Sequence, residues 1–234
     1  MRPSQVAGIA LIALLAACSP QVEATIPLSS LPVALAATRP AALPATLRVP
    51  EGSAESCAET LGARQSAVMT IMPVTAKGAC VEIADQAYAE FQTLMPVILA
   101  GARVPADHLA VLEIEPAPAE AGQSYILSLR LIRTLDEVIE IVSAASGADS
   151  LNLAPHHEDP KFILHLENDT PTPVGLTPWY VYVDGEPGMP GVDGGFAIAP
   201  GQSVELVLSD VVSSYLAGAQ AARFASVTLA PAAL

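Results

Sequence analysis

Positive charge is scarce in this chain: 10 Lys and Arg stand against 24 Asp and Glu over 234 residues, a net charge of −14. A field of that sign repels phosphate backbones and anionic head groups, which excludes nucleic acid as a partner. Aromatics make up 4 % of the residues, with a single Trp, and charged residues only 15 %. Ala, Val, Leu and Pro fill much of the remainder, a composition too apolar for a disordered polyanion. No apolar run reaches the roughly 20 residues of a membrane-spanning helix. Also missing are GxSxG, HExxH and a glycine-rich phosphate loop leading into a helix. Without them the sequence offers no catalytic residue, no metal set and no cofactor site, and it reads as non-enzymatic.

The start of the chain is more informative. Arg2 is the only charge before Glu23, Val6 to Ala17 is uninterrupted apolar or small, and Leu15-Ala16-Ala17-Cys18 closes the run, followed by Ser19-Pro20. This junction resembles the lipobox signal peptide of bacterial lipoproteins. The resemblance implies that residues 1–17 are removed and that Cys18 carries a diacylglycerol and an amide-linked fatty acid such as palmitate. Two or more acyl chains give stable attachment because each buried methylene contributes about 0.8 kcal/mol. Ser19, in place of Asp, is similar to the outer-membrane sorting pattern. It places the domain on the outer membrane, facing the periplasm, as an envelope lipoprotein. The competing reading is an ordinary cleaved signal in which Cys18 is incidental.

Export puts the remaining cysteines, Cys57 and Cys80, where disulfides persist, and a bridge between them is expected to add about 3 kcal/mol by constraining the unfolded chain. A reduced buried pair and a metal site are the alternatives, the latter short of histidines near either cysteine.

Six prolines between Pro20 and Pro50 predict that residues 18–50 form a Pro/Ala-rich tether rather than a long helix or central strand. Val22 to Leu28 would dock on the domain as an edge strand. In the N-terminal half, residues 51–153, Ser53 is a candidate N-cap for a short helix that Gly62 stops. Strands are predicted near Val68–Met72, Ala79–Ile83, Tyr88–Leu99 (ended by Pro96), Leu109–Glu115 and Tyr125–Ile132. Thr134 with Glu137 forms a capping box ahead of the Leu135, Val138, Ile139, Val142 stripe, and Gly147 stops that helix. In the C-terminal half, residues 160–234, strands carry Phe162 to Leu166, Trp179 to Val183, Val204 to Leu208 and Arg223 to Leu229, with a helix capped by Asp210. The expected class is α+β with mostly antiparallel sheet, two or three short helices, and a C-terminal half that admits a β-sandwich.

Three segments invite a functional reading. His156-His157-Glu158-Asp159 gathers metal-capable groups, yet neighbouring side chains of an extended loop diverge, so a solvated linker is the better account. Asp184 to Gly194 has glycine at every third position and reads as a long hairpin loop suited to contacting a partner. Trp179 to Tyr182 presents aromatics, with Trp179 expected in the core and the tyrosines available to a ligand. Together these predict a lipid-anchored, non-enzymatic binding or structural domain, held to the membrane through Cys18 and contacting another envelope protein. Two alternatives stay open. Phe162 to Pro171 resembles the second immunoglobulin-like domain of pilus chaperones, which implies an assembly factor; an envelope hydrolase would need carboxylates or a Ser/His pair brought together in a cleft. Unfolded but unreduced mature protein is expected to show no reactive thiol in a thiol-labelling assay, and two would refute the Cys57–Cys80 bridge.

Overall fold

The computed structural model describes residues 20–37, 40–103, 106–118, 122–133, 161–188, 195–217 and 221–230, together with residues 137, 140, 141 and 144. The chain enters at β1 (Gln21–Pro27), where Val22, Ala24 and Ile26 are buried and the residues between them are half-buried. That period of two is the signature of a strand with one face on the core. A short helix, α1 (Ser30–Ala36), turns the chain into β2 (Ala41–Glu51). β1 is not an edge: it pairs antiparallel with β2 on one side and parallel with β7 (Lys161–Glu167) on the other. The stretch from Pro20 to Pro50 is therefore two strands of the sheet and a helix rather than a tether. The prolines are accommodated by position. β1 pairs only with Ala45 to Arg48 of β2, so Pro44 and Pro50 fall where β2 has β4 alone as neighbour, and the doubly paired stretch contains no proline.

Ser53 caps α2 (Ala54–Val68) through a reciprocal capping box with Ser56. The helix runs on through Gly62, because Arg64, Ala67 and Val68 beyond it are buried. Val68–Met72, expected as a strand, is the end of α2 and its closing turn, with the amides of Ile71 and Met72 both bonded to the Val68 carbonyl. β3 (Ala79–Ile83) and β4 (Gln86–Leu99) form a hairpin, and β4 continues through Pro96. Pro96 sits where that edge of β4 passes from Val74, bridged to Thr93, to β5 (Ala110–Ala117), paired from Val97, so a missing N–H is tolerated there. β6 (Gln123–Leu131) completes the N-terminal strands. Of the segment expected as the Thr134–Gly147 helix, residues 137, 140, 141 and 144 are helical and Ile141 packs on the core; the Thr134 cap and the Gly147 stop lie outside the described residues.

After β7 come β8 (Val174–Pro178), β9 (Val181–Val183), β10 (Glu186–Gly188), β11 (Phe196–Ile198), β12 (Ser203–Leu208), helix α3 (Asp210–Ala217) and β13 (Ala221–Leu229). The first described turn of α3 is anchored on the Ser209 carbonyl, which accepts from Ser213 N–H at 2.9 Å, so the chain enters that helix one residue before Asp210. All the strands join one sheet in the order β10-β9-β12-β7-β1-β2-β4-β5-β6-β13-β8-β11, with β3 on β4. The sheet is mixed rather than mostly antiparallel, since β1 with β7 and β4 with β5 run parallel. Strands from before residue 153 form one block of that order, flanked on both sides by strands from after residue 160, and one core including Phe91, Leu112, Leu127, Phe162 and Phe224 draws on both.

The strand order forces the sheet to curl. β8 stands next to one end and β9 next to the other, yet only Trp179 and Tyr180 separate them in sequence. Trp179 N–H still bonds back to Phe224 of β13 at 2.8 Å, while Tyr180, with φ +56°, gives its carbonyl to Ser209 beyond β12. The ends meet directly. A Cβ on buried Gly188, in the terminal strand β10, falls 2.8 Å from the Pro178 ring of β8. Gly188→Ala is therefore expected to destabilise the protein by about 1–3 kcal/mol through overpacking, read as a lower urea midpoint at unchanged slope.

Candidate functional site

The outer face of the sheet carries a charged ladder across four neighbouring strands. Glu23 of β1 lies between His165 of β7, whose Nε2 is 3.0 Å from Oε1, and Arg48 of β2, which donates to Oε2. Arg48 Nε also donates to Glu90 of β4 at 2.8 Å. These residues meet because each sits at the outward position of its strand and the registers Arg48↔Glu90 and Gln21↔Arg48 align them. Burial by itself raises the Glu23 carboxyl, but the hydrogen bond and charge of Arg48, joined by His165, hold it below the usual carboxylate range. Burial likewise pulls the Arg48 guanidinium down, and its bonds to Glu90 and Glu23 push it above its ordinary value. A carboxylate kept ionised in this way is a poor proton donor near neutral pH. With its folded pKa lowered, Glu23 supports the fold above the unfolded carboxyl range and loses that support as the pH falls through the lowered value.

Further pairs tie other elements. Glu113 of β5 meets Arg130 of β6 at 3.0 Å, and Glu115 meets Arg223 of β13 at 2.7 Å. The most enclosed pair is Glu51 at the end of β2 with Arg64 of α2, whose side chains are 2 % and 3 % exposed. Arg64 Nε is 2.7 Å from Oε1 and Nη2 donates to Oε2 at 2.9 Å. Burial pushes the Glu51 carboxyl up against the pull of Arg64, and pushes the Arg64 guanidinium down against the pull of Glu51. Cys57 on the same helix is bonded to Cys80 of β3, with their Cα atoms 6.0 Å apart, so a bridge and an ion pair both fasten α2 to the sheet. Behind the sheet, between Val22, Leu47, Met72, Thr93, Met95 and Leu109, the void is about 10 Å³, room for about one water molecule.

Asn168, wholly buried after β7, organises the following turn by donating to the carbonyls of Thr172 and Ile198 and accepting from Thr170. The adjacent Asp169 accepts from Ser29 ahead of α1. Burial raises this carboxyl, yet the Ser29 bonds hold it below its ordinary value. The conspicuous Phe162–Pro171 stretch is thus a strand and its turn, and β7 and β13, besides pairing with β12 and β8, pair with β1 and β6, so the C-terminal half forms no separate sheet.

Aromatic side chains gather where the sheet ends meet. Trp179 is half-buried, Tyr180 is 63 % exposed and Tyr182 of β9 is 43 % exposed. α3 begins beside Tyr180, buries Val212 and Leu216, and turns Val211 and Tyr215 to solvent, 75 % and 52 % exposed. Asp184 and Gly185, both at positive φ, form the tight β9–β10 turn, so the loop expected from Asp184 is a short hairpin at its start; residues 189–194 lie outside the described residues, as do Cys18 and His156 to Asp159. Among the described residues no group of three or more His, Cys, Asp or Glu is placed to hold a metal ion. The ladder escaped sequence reasoning because its members are 25 to 142 residues apart, and only strand register brings them together. The strand expected over Trp179 to Val183 begins only at Val181; Tyr180, at φ +56° between β8 and β9, is exposed because the chain changes direction there, and only Tyr182 follows from strand alternation.

A family model described as a domain of unknown function (DUF7424) matches residues 21–231. The chain belongs to the DUF7424 family. No curated protein and no solved structure matches it. The DUF7424 domain begins at the first residue of β1 and extends past the last of β13, leaving the Leu15–Cys18 junction outside it. Within the domain the Glu51–Arg64 pair gives a sharp test. Arg64→Met alone strands a buried carboxylate and is expected to cost about 3–5 kcal/mol, whereas Glu51→Leu with Arg64→Met should return close to wild type, both measured by urea unfolding at pH 7.

Proposed function

We propose that this DUF7424 protein is a lipid-anchored envelope lipoprotein, acylated at Cys18, whose periplasm-facing domain serves a non-enzymatic binding or structural role toward another envelope component. The observation that carries this reading is how soon after the Leu15–Cys18 junction, in sequence, the sheet begins. The Pro20 carbonyl accepts from Lys161 N–H at 2.9 Å, so the chain is already held by the sheet two residues after Cys18. An acyl group on that thiol fastens the domain to the bilayer surface with no spacer between them. No helix among the described residues is long and apolar enough to cross a membrane. The non-enzymatic reading is supported by the ladder His165, Glu23, Arg48 and Glu90, whose charges are taken up in cross-strand pairs on an open face. The β9–β10 hairpin with exposed Tyr182 is the surface this reading assigns to a protein partner.

The test is chemical. Mature protein from its native host is expected to have an N-terminal peptide beginning at Cys18 with the mass of two or three fatty acyl chains. Cys18→Ala should abolish labelling by palmitate and release the protein from the membrane fraction, with the folded domain unchanged in Tm. An N-terminus upstream of Cys18, or a Cys18→Ala variant still acylated and membrane-bound, would overturn the proposal.

A further inference from the structure

The end of the sheet at which β1 begins gathers several exposed apolar side chains. Gln21 is level with Lys161 of β7. β12 leaves its pairing with β7 just past Val207↔Ile163, and β9 enters at Val181↔Leu208. Ser209 and Tyr180, joined by a hydrogen bond of 3.3 Å, therefore continue the row Gln21, Lys161, Ser209, Tyr180. With neighbouring strands about 4.8 Å apart, Tyr180 stands roughly 15 Å from Gln21 along that row. From Ser209, α3 leads to the start of β13 at Ala221 and so closes this same end. Its buried residues Val212 and Leu216 face the core, and Val211 and Tyr215, one turn apart, project the other way. Tyr180, Val211 and Tyr215 are among the most exposed large apolar side chains of the described residues.

Pro20, whose carbonyl is bonded to Lys161 N–H, lies at this end, so an acyl group on Cys18 would meet the bilayer from here. Cys18 stands two positions before Pro20, a span of at most about 7 Å. We infer that this end of the DUF7424 domain is a bilayer-facing surface, with Tyr180, Val211 and Tyr215 seated among zwitterionic phospholipid head groups beside the acylated N-terminus. The inference rests on the acylation reading and adds an orientation to it. Tyrosine suits the position because its ring enters the apolar boundary while its hydroxyl stays wet. A helix satisfies its own backbone and can lie flat at such an interface. Charge selects the lipid: at −14 the chain gains nothing from an anionic surface, so apolar side chains must carry the contact and added salt should leave it intact.

Trp179, the single tryptophan, adjoins Tyr180 and reports on the contact without labelling. Full-length acylated protein, its lipid confirmed by mass, is reconstituted into phosphatidylcholine vesicles whose acyl chains are brominated near the head group. Trp179 emission is expected to be quenched relative to unbrominated vesicles, equally at low and high salt. The Tyr180→Ser/Val211→Ser/Tyr215→Ser variant should still sediment with the vesicles through its acyl chains but lose most of the quenching. A Val33→Ser/Leu99→Ser variant, altered outside this surface, should behave as wild type. Acylated, sedimenting protein with unquenched Trp179 would overturn the orientation and leave the anchor standing, as expected if a protein covers this surface instead. Protein lacking the acyl mass would bring down both, and the mass alone identifies that case.

Discussion

Everything in this fold depends on one segment pairing at both ends of the sheet. Residues 174–178 are hydrogen-bonded to β13 and residues 181–183 to β12, and the two strands stand near opposite ends of the strand order. A flat sheet cannot satisfy both pairings. Curling lets the alternating inward residues of every long strand bury against one another, so Ile26, Leu47, Phe91, Leu112, Leu127, Phe162 and Phe224 share one core. The same closure reduces the exposed sheet edge that is a liability in open β structures. It requires a change of direction at Tyr180, held at positive φ, and a residue without a side chain at Gly188.

Outside the curl, charge is used to tie strands together. The run His165–Glu23–Arg48–Glu90 spans four adjacent strands, with each carboxylate facing a partner. Half-exposed pairs of this kind contribute modestly one by one; a shared guanidinium joins two of them while fixing one long side chain. The enclosed Glu51–Arg64 pair differs in kind. Its net contribution is small because desolvation opposes attraction, yet removing one partner is costly, so it specifies how α2 lies against the sheet more than it adds stability. With Cys57–Cys80 on the same helix, α2 is held by a covalent and an ionic link.

The proposed orientation depends on the proposed anchor and on this topology together. Because β1 is an interior strand, the chain that precedes it enters beside α3 and Tyr180, and an acyl group on Cys18 would draw that end of the domain to the lipid. A tether of 30 residues would have left orientation free. Here the residues once expected to supply reach are spent on β1, α1 and β2, so an anchor at Cys18 would leave the domain almost no slack.

Local pattern settled a good part of this by itself. The alternation in Tyr125 to Leu131 and in Phe162 to Leu166 and the Ser53 cap are short-range features, and each lies close to where the pattern put it, whereas Trp179 and Tyr180, expected within a strand, form the break before β9. Prolines misled, because a proline is excluded only where its N–H is needed, and that depends on which neighbours a strand has. β2 is legible as a strand only once β1 covers its proline-free stretch. Parallel pairing of β1 with β7, the ladder, and the joining of the sheet ends involve residues up to 142 apart, whose register is fixed by the whole pattern of burial and not by any window of sequence. The sequence by itself determined the strands whose alternation is uninterrupted, such as Tyr125 to Leu131 and Phe162 to Leu166; only the tertiary structure decided that proline-bearing segments join the sheet and who neighbours whom, because a strand's partner is selected by closing a common core.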